Sequence, residues 1–214
     1  MTYLTSPLVT EKGKHRLHAY LNRLLVLTAG LGLAINSVIR GRANLSDDEY
    51  MGIMTNAFDL KIRFPMTVPI RLAWENKEPD RIELIMDAIP PRGPDPGLNP
   101  DMVQIFGLAG PPIFINFYES HRPWVEDNIG TLSQWPSIFA FARVIRHSMA
   151  HGGALHMTDK KQQPVSWHHL RYSVSDHGKR VYGPGCDLYL SDLLLLMFEM
   201  SDELNKAGCP LDPI

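Results

Sequence analysis

Cysteine is scarce in this chain. Only Cys186 and Cys209 occur among its 214 residues, and no Cys-x-x-Cys pair is present. Two cysteines are too few for the disulfide framework of a small secreted protein, and this usage favours a reducing compartment. We therefore expect a cytoplasmic protein, long enough to be held together by an apolar core.

Long apolar runs are also lacking. The most membrane-like stretch, Leu24 to Ile39, falls short of the roughly 20 apolar residues that span a bilayer, and it contains Thr28, Asn36 and Ser37. This composition predicts a buried core helix rather than a membrane segment. Residues 1–14 are polar and lack the basic region, apolar run and cleavage site of a secretion signal. We therefore expect no membrane partner.

Neither sign of charge dominates. Lys and Arg total 21 against 23 Asp and Glu, which is a formal net charge of −2. This balance excludes a protein that coats nucleic acid by bulk charge, so any nucleic-acid site must be local. The hydrophobic fraction of 44% and the charged fraction of 21% are ordinary values for a globular protein.

The N-terminal part carries signals for helices. His15 to about Arg40 has apolar residues at helical spacing. Ser46, followed by three acidic residues, is a good cap for a helix that should run to about Lys61. An irregular connection with prolines should follow, and then a short helix from Asp80 to Ala88. We therefore predict that residues 1–90 form an N-terminal helical part.

A proline-rich segment divides the chain. Residues 90–100 hold five prolines and two glycines, so neither a helix nor a central strand can pass through them. We predict a boundary here, with residues 1–90 before it and residues 101–214 after it, either as two parts or packed as one domain. The elements predicted in the second part are a helix opened by Pro111 and Pro112, a helix from about Gln134 to His151, a β-hairpin at about 165–183, and a nearly all-apolar helix from Ser191 to Ala207. The predicted fold class is therefore mainly α, a helical bundle with a β-hairpin inserted before its last helix.

The helix predicted to end near His151 carries the residues of greatest chemical interest. Its apolar positions cluster on one side, and the opposite arc holds Arg143, Arg146, His147 and His151. His147 and His151 are one turn apart, whereas Arg146 and His151 are about 140° apart around the helix. An ordinary solvent-exposed helix surface would show the same polar arc. The surroundings favour a site, because residues 143–180 carry seven Arg or Lys against two acids, and six of the nine histidines.

The end of this helix resembles a known ribonuclease motif. Residues 146–151 read Arg-His-Ser-Met-Ala-His and are followed by two glycines, which is similar to the Arg-x4-6-His motif of the HEPN superfamily. Those proteins are helical bundles, and many are ribonucleases in toxin–antitoxin, antiviral and RNA-processing systems. In the family the residue after the arginine is typically Asn, Asp or His, and here it is His147. The resemblance covers about residues 112–207.

The resemblance implies metal-independent cleavage of RNA, in which a 2′-OH attacks its own phosphate. His151 would be the acid or base that moves the proton, Arg146 would bind the scissile phosphate, and His147 would orient the arginine or the substrate. The family likeness also implies a homodimer that juxtaposes two copies of the motif, with RNA or a nucleotide as partner. A partner antitoxin is a further expectation of the same kind. No metal or cofactor is expected.

A metal site is an alternative use of the same residues. His147 and His151 share a helix face, and either His156 or the pair at 168–169 could add ligands. The glutamate that follows the first histidine in metalloproteases is missing, and no carboxylate occurs in the segment until Asp159. This ligand pattern makes a metal site the less favoured interpretation.

The predicted hairpin and the preceding helix supply further candidates. Trp167, His169 and Arg171 would share one strand face and could stack on unpaired bases, although Trp167 can equally cover the end of the bundle. The predicted substrate-binding residues are Arg143, His169 and Arg171. Residues 119–122 (Glu-Ser-His-Arg) either add polar groups to the site or form a surface ion pair.

Two other functions compete with the ribonuclease. One is a non-catalytic HEPN-like module that binds RNA, a nucleotide or a protein partner. The other is a structural or regulatory helical dimer whose Arg-His face is exposed to solvent. Cleavage of RNA separates the first hypothesis from both rivals.

Overall fold

A computed structural model describes most of the chain as two compact units. The first unit comprises residues 1–102 with 211–214, and the second comprises residues 103–210. The residues that the structure describes are 7–40, 50–88, 107–159, 161–183 and 185–211.

The first unit is a four-stranded antiparallel sheet with two helices. Its strands are β1 (Leu8–Glu11), β2 (Tyr50–Met54), β3 (Leu60–Pro65) and β4 (Arg81–Ala88), in the spatial order β1-β4-β3-β2. Its helices are α1 (His18–Arg40) and α2 (Thr67–Trp74). Helix α1 contacts α2 and strands β3 and β4, and its buried leucines cover the sheet.

The predicted helix over residues 15–40 is confirmed in α1, and it is a core helix. Leu21, Leu24 and Leu25 of α1, and Leu17 just before it, are all at most 1% exposed, and they recur at the spacing of one helix face. None of the helices in the described ranges combines the length and the apolar character that crossing a bilayer requires.

The predicted mainly-α fold class is wrong, because the first unit is built on a sheet. The structure is 48% helix and 19% strand, a mixed α/β composition. The helix predicted from Asp80 to Ala88 is strand β4, and the one predicted from Ser46 to Lys61 is replaced over its described part by β2 and the start of β3. Residues 46–49 of that prediction lie outside the described residues.

Side-chain alternation explains the correction. In β4, Ile82, Leu84 and Met86 are buried. Arg81, which precedes them, and Glu83, which lies between the first two, are exposed. A period of two residues is that of a strand with one buried face, whereas a helix repeats every 3.6 residues. Strand β3 shows the same alternation. The capping signal at residue 46 predicted a helix up to residue 61, which is the wrong element.

The second unit packs three helices and one short hairpin together. The helices are α3 (Gly110–Ile129), α4 (Ser137–Ala150) and α5 (Leu190–Lys206), and the hairpin strands are β5 (Val165–Trp167) and β6 (Leu170–Tyr172). The three helices contact one another, and β5 packs against α4. The predicted helices of this part are therefore present, with prolines at the start of α3 as expected.

The hairpin is shorter than predicted. Its strands end at residue 172 rather than near 183, and its turn lies at His168 and His169, with His168 at φ +51°. Trp167 and Arg171 therefore lie on opposite strands, and Ser166 rather than Trp167 is the residue directly opposite Arg171. Because side chains alternate across a strand, Trp167 faces the core and Arg171 faces outward. The shared face predicted for Trp167, His169 and Arg171 is wrong.

Helix α5 is the buried centre of the second unit, as its composition predicted. Most of its residues from Leu190 through Leu204 are buried. Its start is held by Asp192, which is completely buried and whose Oδ2 accepts a hydrogen bond from the Tyr189 N–H at 2.7 Å. This carboxylate accepts a hydrogen bond from a backbone N–H that is buried and has no access to water as an alternative acceptor.

Replacing Asp192 with alanine tests this contact. We expect Asp192→Ala to lower the free energy of unfolding by about 1–3 kcal/mol, because a buried backbone donor loses its charged acceptor. Asp202→Ala, on the exposed side of the same helix, should change it by less than about 0.5 kcal/mol. Urea unfolding followed by circular dichroism measures both, and equal losses would contradict the assigned role of Asp192.

Candidate functional site

Four imidazole rings come together where α4 ends. The centroid of His147 lies 4.5 Å from that of His151 and 5.1 Å from that of His156. The centroids of His151 and His156 are 5.3 Å apart, and His177 lies 5.3 Å from His156 on the outer side. We call these four residues the histidine cluster. His147 is half-buried and the other three rings are exposed, so the cluster is open to solvent.

A sharp reversal after α4 assembles the cluster. Gly152 and Gly153 have φ of +69° and +85°, values that residues other than glycine rarely adopt. The Gly153 N–H donates to the Ser148 carbonyl at 2.8 Å, which closes the helix end. A Cβ on Gly153 would also lie 3.2 Å from the Tyr182 carbonyl oxygen, so the backbone approach is close as well.

Backbone pairing then brings His156 and His177 to the helix end. The Leu155 N–H donates to the Lys179 carbonyl at 2.9 Å, and the Gly178 N–H donates to the Leu155 carbonyl at 2.8 Å. An antiparallel bridge joins Ala154 to Arg180 beside them. Two segments more than 20 residues apart in the chain are thereby held side by side. Each of them carries one histidine of the cluster.

The environment of His147 favours its neutral form. Burial is the main cause that lowers the pKa of His147 below its ordinary 6.5. The positive charge of His151, His156, Arg146 and Arg143 lowers that pKa further. A neutral imidazole near pH 7 can accept a proton, which is the property a general base needs.

A cleft of about 450 Å³ opens beside the cluster, between α3, α4 and the segment after Leu155. We call it the histidine cleft. Its cationic and aromatic lining residues are Arg122, Arg143, Arg146, His147, His156, Tyr118 and Trp135. Its acidic lining residues are Glu119, Glu126 and Asp159. The volume falls within the range of sites that bind small ligands.

Two of the three arginines in the histidine cleft are paired with glutamates of α3. Arg146 Nε lies 2.5 Å from Glu119 Oε1, a close ion pair without the angles of a good hydrogen bond. Arg122 Nε donates to Glu126 Oε1 at 2.8 Å, and its Nη1 lies 3.5 Å from Glu119. Arg143 forms no ion pair with any residue in the described ranges. It is therefore the arginine whose charge is least compensated within the cleft.

The predicted site residues do not all meet. Arg143, Arg146 and His147 line the histidine cleft, and His151 contacts its edge through the rings of His147 and His156. His169 and Arg171 are exposed on the hairpin and are not among the residues that line this cleft. The structure thus brings together the motif and Arg143, and leaves the two hairpin residues out.

Other members of the site are not indicated by the sequence. Local spacing points to His156 only as a possible metal ligand, and it gives no signal for His177. Trp135 has no sequence signal, because it is isolated between two helices. The polar groups of Glu119 and Arg122 do belong to the cleft wall, and they also form the ion pairs that were their alternative explanation.

The rings of the cluster meet through faces and edges. His151 and His156 are stacked, with planes 22° apart, and the His147 ring is tilted against both. Within the described ranges, no group of three or more His, Cys, Asp or Glu side chains is arranged to hold a metal ion. The arrangement offers proton acceptors and donors next to arginines instead.

The pH dependence of stability tests the environment of His147. Because its pKa in the folded protein lies below the ordinary 6.5, the unfolded chain takes up the proton first as the pH falls. The stabilisation is complete above pH 6.5 and is lost as the pH falls from 6.5 through the lowered pKa. We expect denaturant unfolding between pH 8 and 5 to show a smaller acid-induced loss in His147→Gln than in the wild type. An unchanged pH dependence would contradict the lowered pKa.

Comparison with known proteins adds no assignment to this geometry. No protein-family model matches the chain. No curated protein and no solved structure matches it either.

Proposed function

We propose that this chain is an HEPN-like endoribonuclease that cleaves RNA without a metal, by attack of a 2′-OH on the adjacent phosphate. The observation that carries the proposal is the histidine cluster, in which His147 touches His151 and His156 beside Arg143 and Arg146. The reaction requires proton transfer, which imidazoles can perform, and phosphate binding, which arginines can perform.

His147 and His151 divide the proton transfers. The 2′-oxygen forms a bond to phosphorus while His147, kept neutral by its surroundings, accepts the hydroxyl proton. The bond from phosphorus to the 5′-oxygen breaks, and the imidazolium of His151 donates a proton to that leaving oxygen. The products are a 2′,3′-cyclic phosphate and a 5′-OH. This assigns His147 a role in the chemistry, beyond the orienting role that the motif implies.

The arginines supply the positive charge. Glu119 contacts Arg146 through Nε, at the inner end of the guanidinium group. The two terminal nitrogens of Arg146 can therefore bind phosphate oxygens while Glu119 holds the side chain in place. Arg143 adds a charge that no described carboxylate compensates. Together they stabilise the negative charge that develops on the phosphate.

A homodimer completes the proposal. Three of the four rings of the cluster are exposed, and an exposed site cannot hold a transition state as tightly as an enclosed one. A second copy of the motif facing the cluster, as the HEPN resemblance implies, would enclose it. A partner antitoxin would then act by covering the same face.

Cleavage of RNA in the presence of a chelator tests the function. We expect 2′,3′-cyclic phosphate and 5′-OH ends from the wild type, and no cleavage of DNA of the same sequence, because DNA lacks the attacking hydroxyl. His147→Ala, His151→Ala and Arg146→Ala should each lower the rate by about 100-fold or more. Arg81→Ala, at an exposed position of β4 in the first unit, is the matched control and should keep the wild-type rate.

Cleavage at the wild-type rate by His147→Ala, His151→Ala and Arg146→Ala would show that the activity does not come from this site. Absence of cleavage from pure wild-type protein, with RNA binding that survives His151→Ala, would favour a non-catalytic RNA-binding module. One observation supports that second candidate: His151 lies outside the residues that line the histidine cleft, while Arg143 lies within it.

A further inference from the structure

A second cavity adjoins the histidine cleft. It also measures about 450 Å³, and we call it the side cavity. The residues that line both cavities are Arg143, Val144, Asp159 and Gln162. Two cavities that share four wall residues lie next to each other.

The two cavities differ in chemistry. The side cavity is walled mainly by apolar groups, among them Leu132, Pro164 and Val165, with the amides of Gln162 and Gln163 at its edge. An apolar wall with a few amide groups suits the flat face of a nucleobase and the polar atoms on its edge. The histidine cleft holds the arginines and imidazoles that suit a phosphate.

Arg143 stands at the junction of the two cavities. It is exposed, it lies on α4 one turn before His147, and it forms no ion pair with a described residue. A guanidinium group in this position can bind the phosphate that links a nucleotide in one cavity to a nucleotide in the other.

Asp159 and Gln162, which line both cavities, are hydrogen-bonded to each other. The Gln162 N–H donates to the Asp159 carbonyl at 2.9 Å, and the Lys161 N–H donates to Asp159 Oδ1 at 2.9 Å. These bonds link three of the residues that line the side cavity.

We propose that the side cavity is a base-binding subsite of the RNA site, and that Arg143 sets the register of the strand by binding the phosphate between the two cavities. The inference rests on the proposed ribonuclease function for its substrate. It narrows that substrate to RNA with at least two unpaired nucleotides at the cleavage point, because a base must leave its partner to enter the side cavity.

Binding of a non-cleavable RNA tests the subsite apart from catalysis. The probe is a fluorescent single-stranded hexanucleotide with 2′-O-methyl groups, measured by anisotropy on the full chain. We expect Arg143→Ala to weaken binding by about 10-fold, since it removes a charged hydrogen bond to phosphate. Leu132→Ser should weaken it by about 5- to 10-fold, since it removes apolar contact with a base.

Matched controls separate the subsite from general effects. Leu108→Ser changes another exposed leucine of the second unit, which lines neither cavity, and Arg81→Ala removes an exposed arginine of the first unit. Both should bind the probe as the wild type does. Because Arg143 and Leu132 are themselves exposed, their variants should keep the wild-type melting temperature, which is checked in parallel.

Kinetics give a second readout on cleavable RNA. Leu132→Ser should raise KM and leave kcat within about threefold, because it acts on binding outside the reacting atoms. Arg143→Ala should raise KM and also lower kcat, because its charge helps to stabilise the reacting phosphate. A fully paired duplex of the same sequence should bind at least about 10-fold more weakly than the single strand.

The outcomes of the inference and of the proposed function can be told apart. Wild-type binding by both Arg143→Ala and Leu132→Ser overturns the subsite, even where RNA is cleaved. Binding that depends on both residues, without any cleavage, supports the subsite and overturns the ribonuclease. Failure of the wild type to bind the hexanucleotide overturns the subsite, as does equal binding of a mononucleotide 3′-phosphate, which would indicate one nucleotide position only.

Discussion

The reversal at Gly152 and Gly153 is the constraint on which the candidate site depends. Both residues have positive φ, and the carbonyl of Tyr182 lies where a side chain on Gly153 would need room. Without this turn the chain after α4 would not run back past the helix end. The pairing of Leu155 with residues 178 and 179 could then not place His156 and His177 against the motif. The local backbone conformation of two glycines therefore determines the chemistry of the cluster.

Ion pairs offset much of the permanent positive charge of the site. Glu119 and Glu126 of α3 pair with two of the three cleft arginines, and Arg143 forms no ion pair with a described residue. This arrangement agrees with a net charge of −2 for the whole chain. For the RNA substrate proposed above, such a balance of charge gives little long-range attraction. Specific contacts at close range would then supply the affinity, and the side cavity has room for them.

The fold was predictable where the apolar pattern of a segment indicated only one type of element. The apolar spacing of α1 and the apolar composition of α5 each predict a buried helix, and both helices are present. The prediction failed in the first unit, where strands β2, β3 and β4 stand in place of two predicted helices. Ile82, Leu84 and Met86 carry the alternation of β4, which is visible in the sequence. Pairing with β1 and β3 stabilises β4 as a strand. A local sequence pattern does not predict which distant segments will pair.

The sequence by itself determined the helix that carries Arg143, Arg146 and His147, because helical periodicity is a local property. It also determined that His147 and His151 are neighbours, since residues four apart share a helix face. Only the tertiary structure decided that Arg146 pairs with Glu119, that His156 and His177 join the cluster, and that His169 and Arg171 stay outside it. These outcomes depend on backbone hydrogen bonds and packing between segments far apart in the chain. Such contacts contribute free energy only after the chain has brought the segments together, so a local sequence pattern does not reveal them.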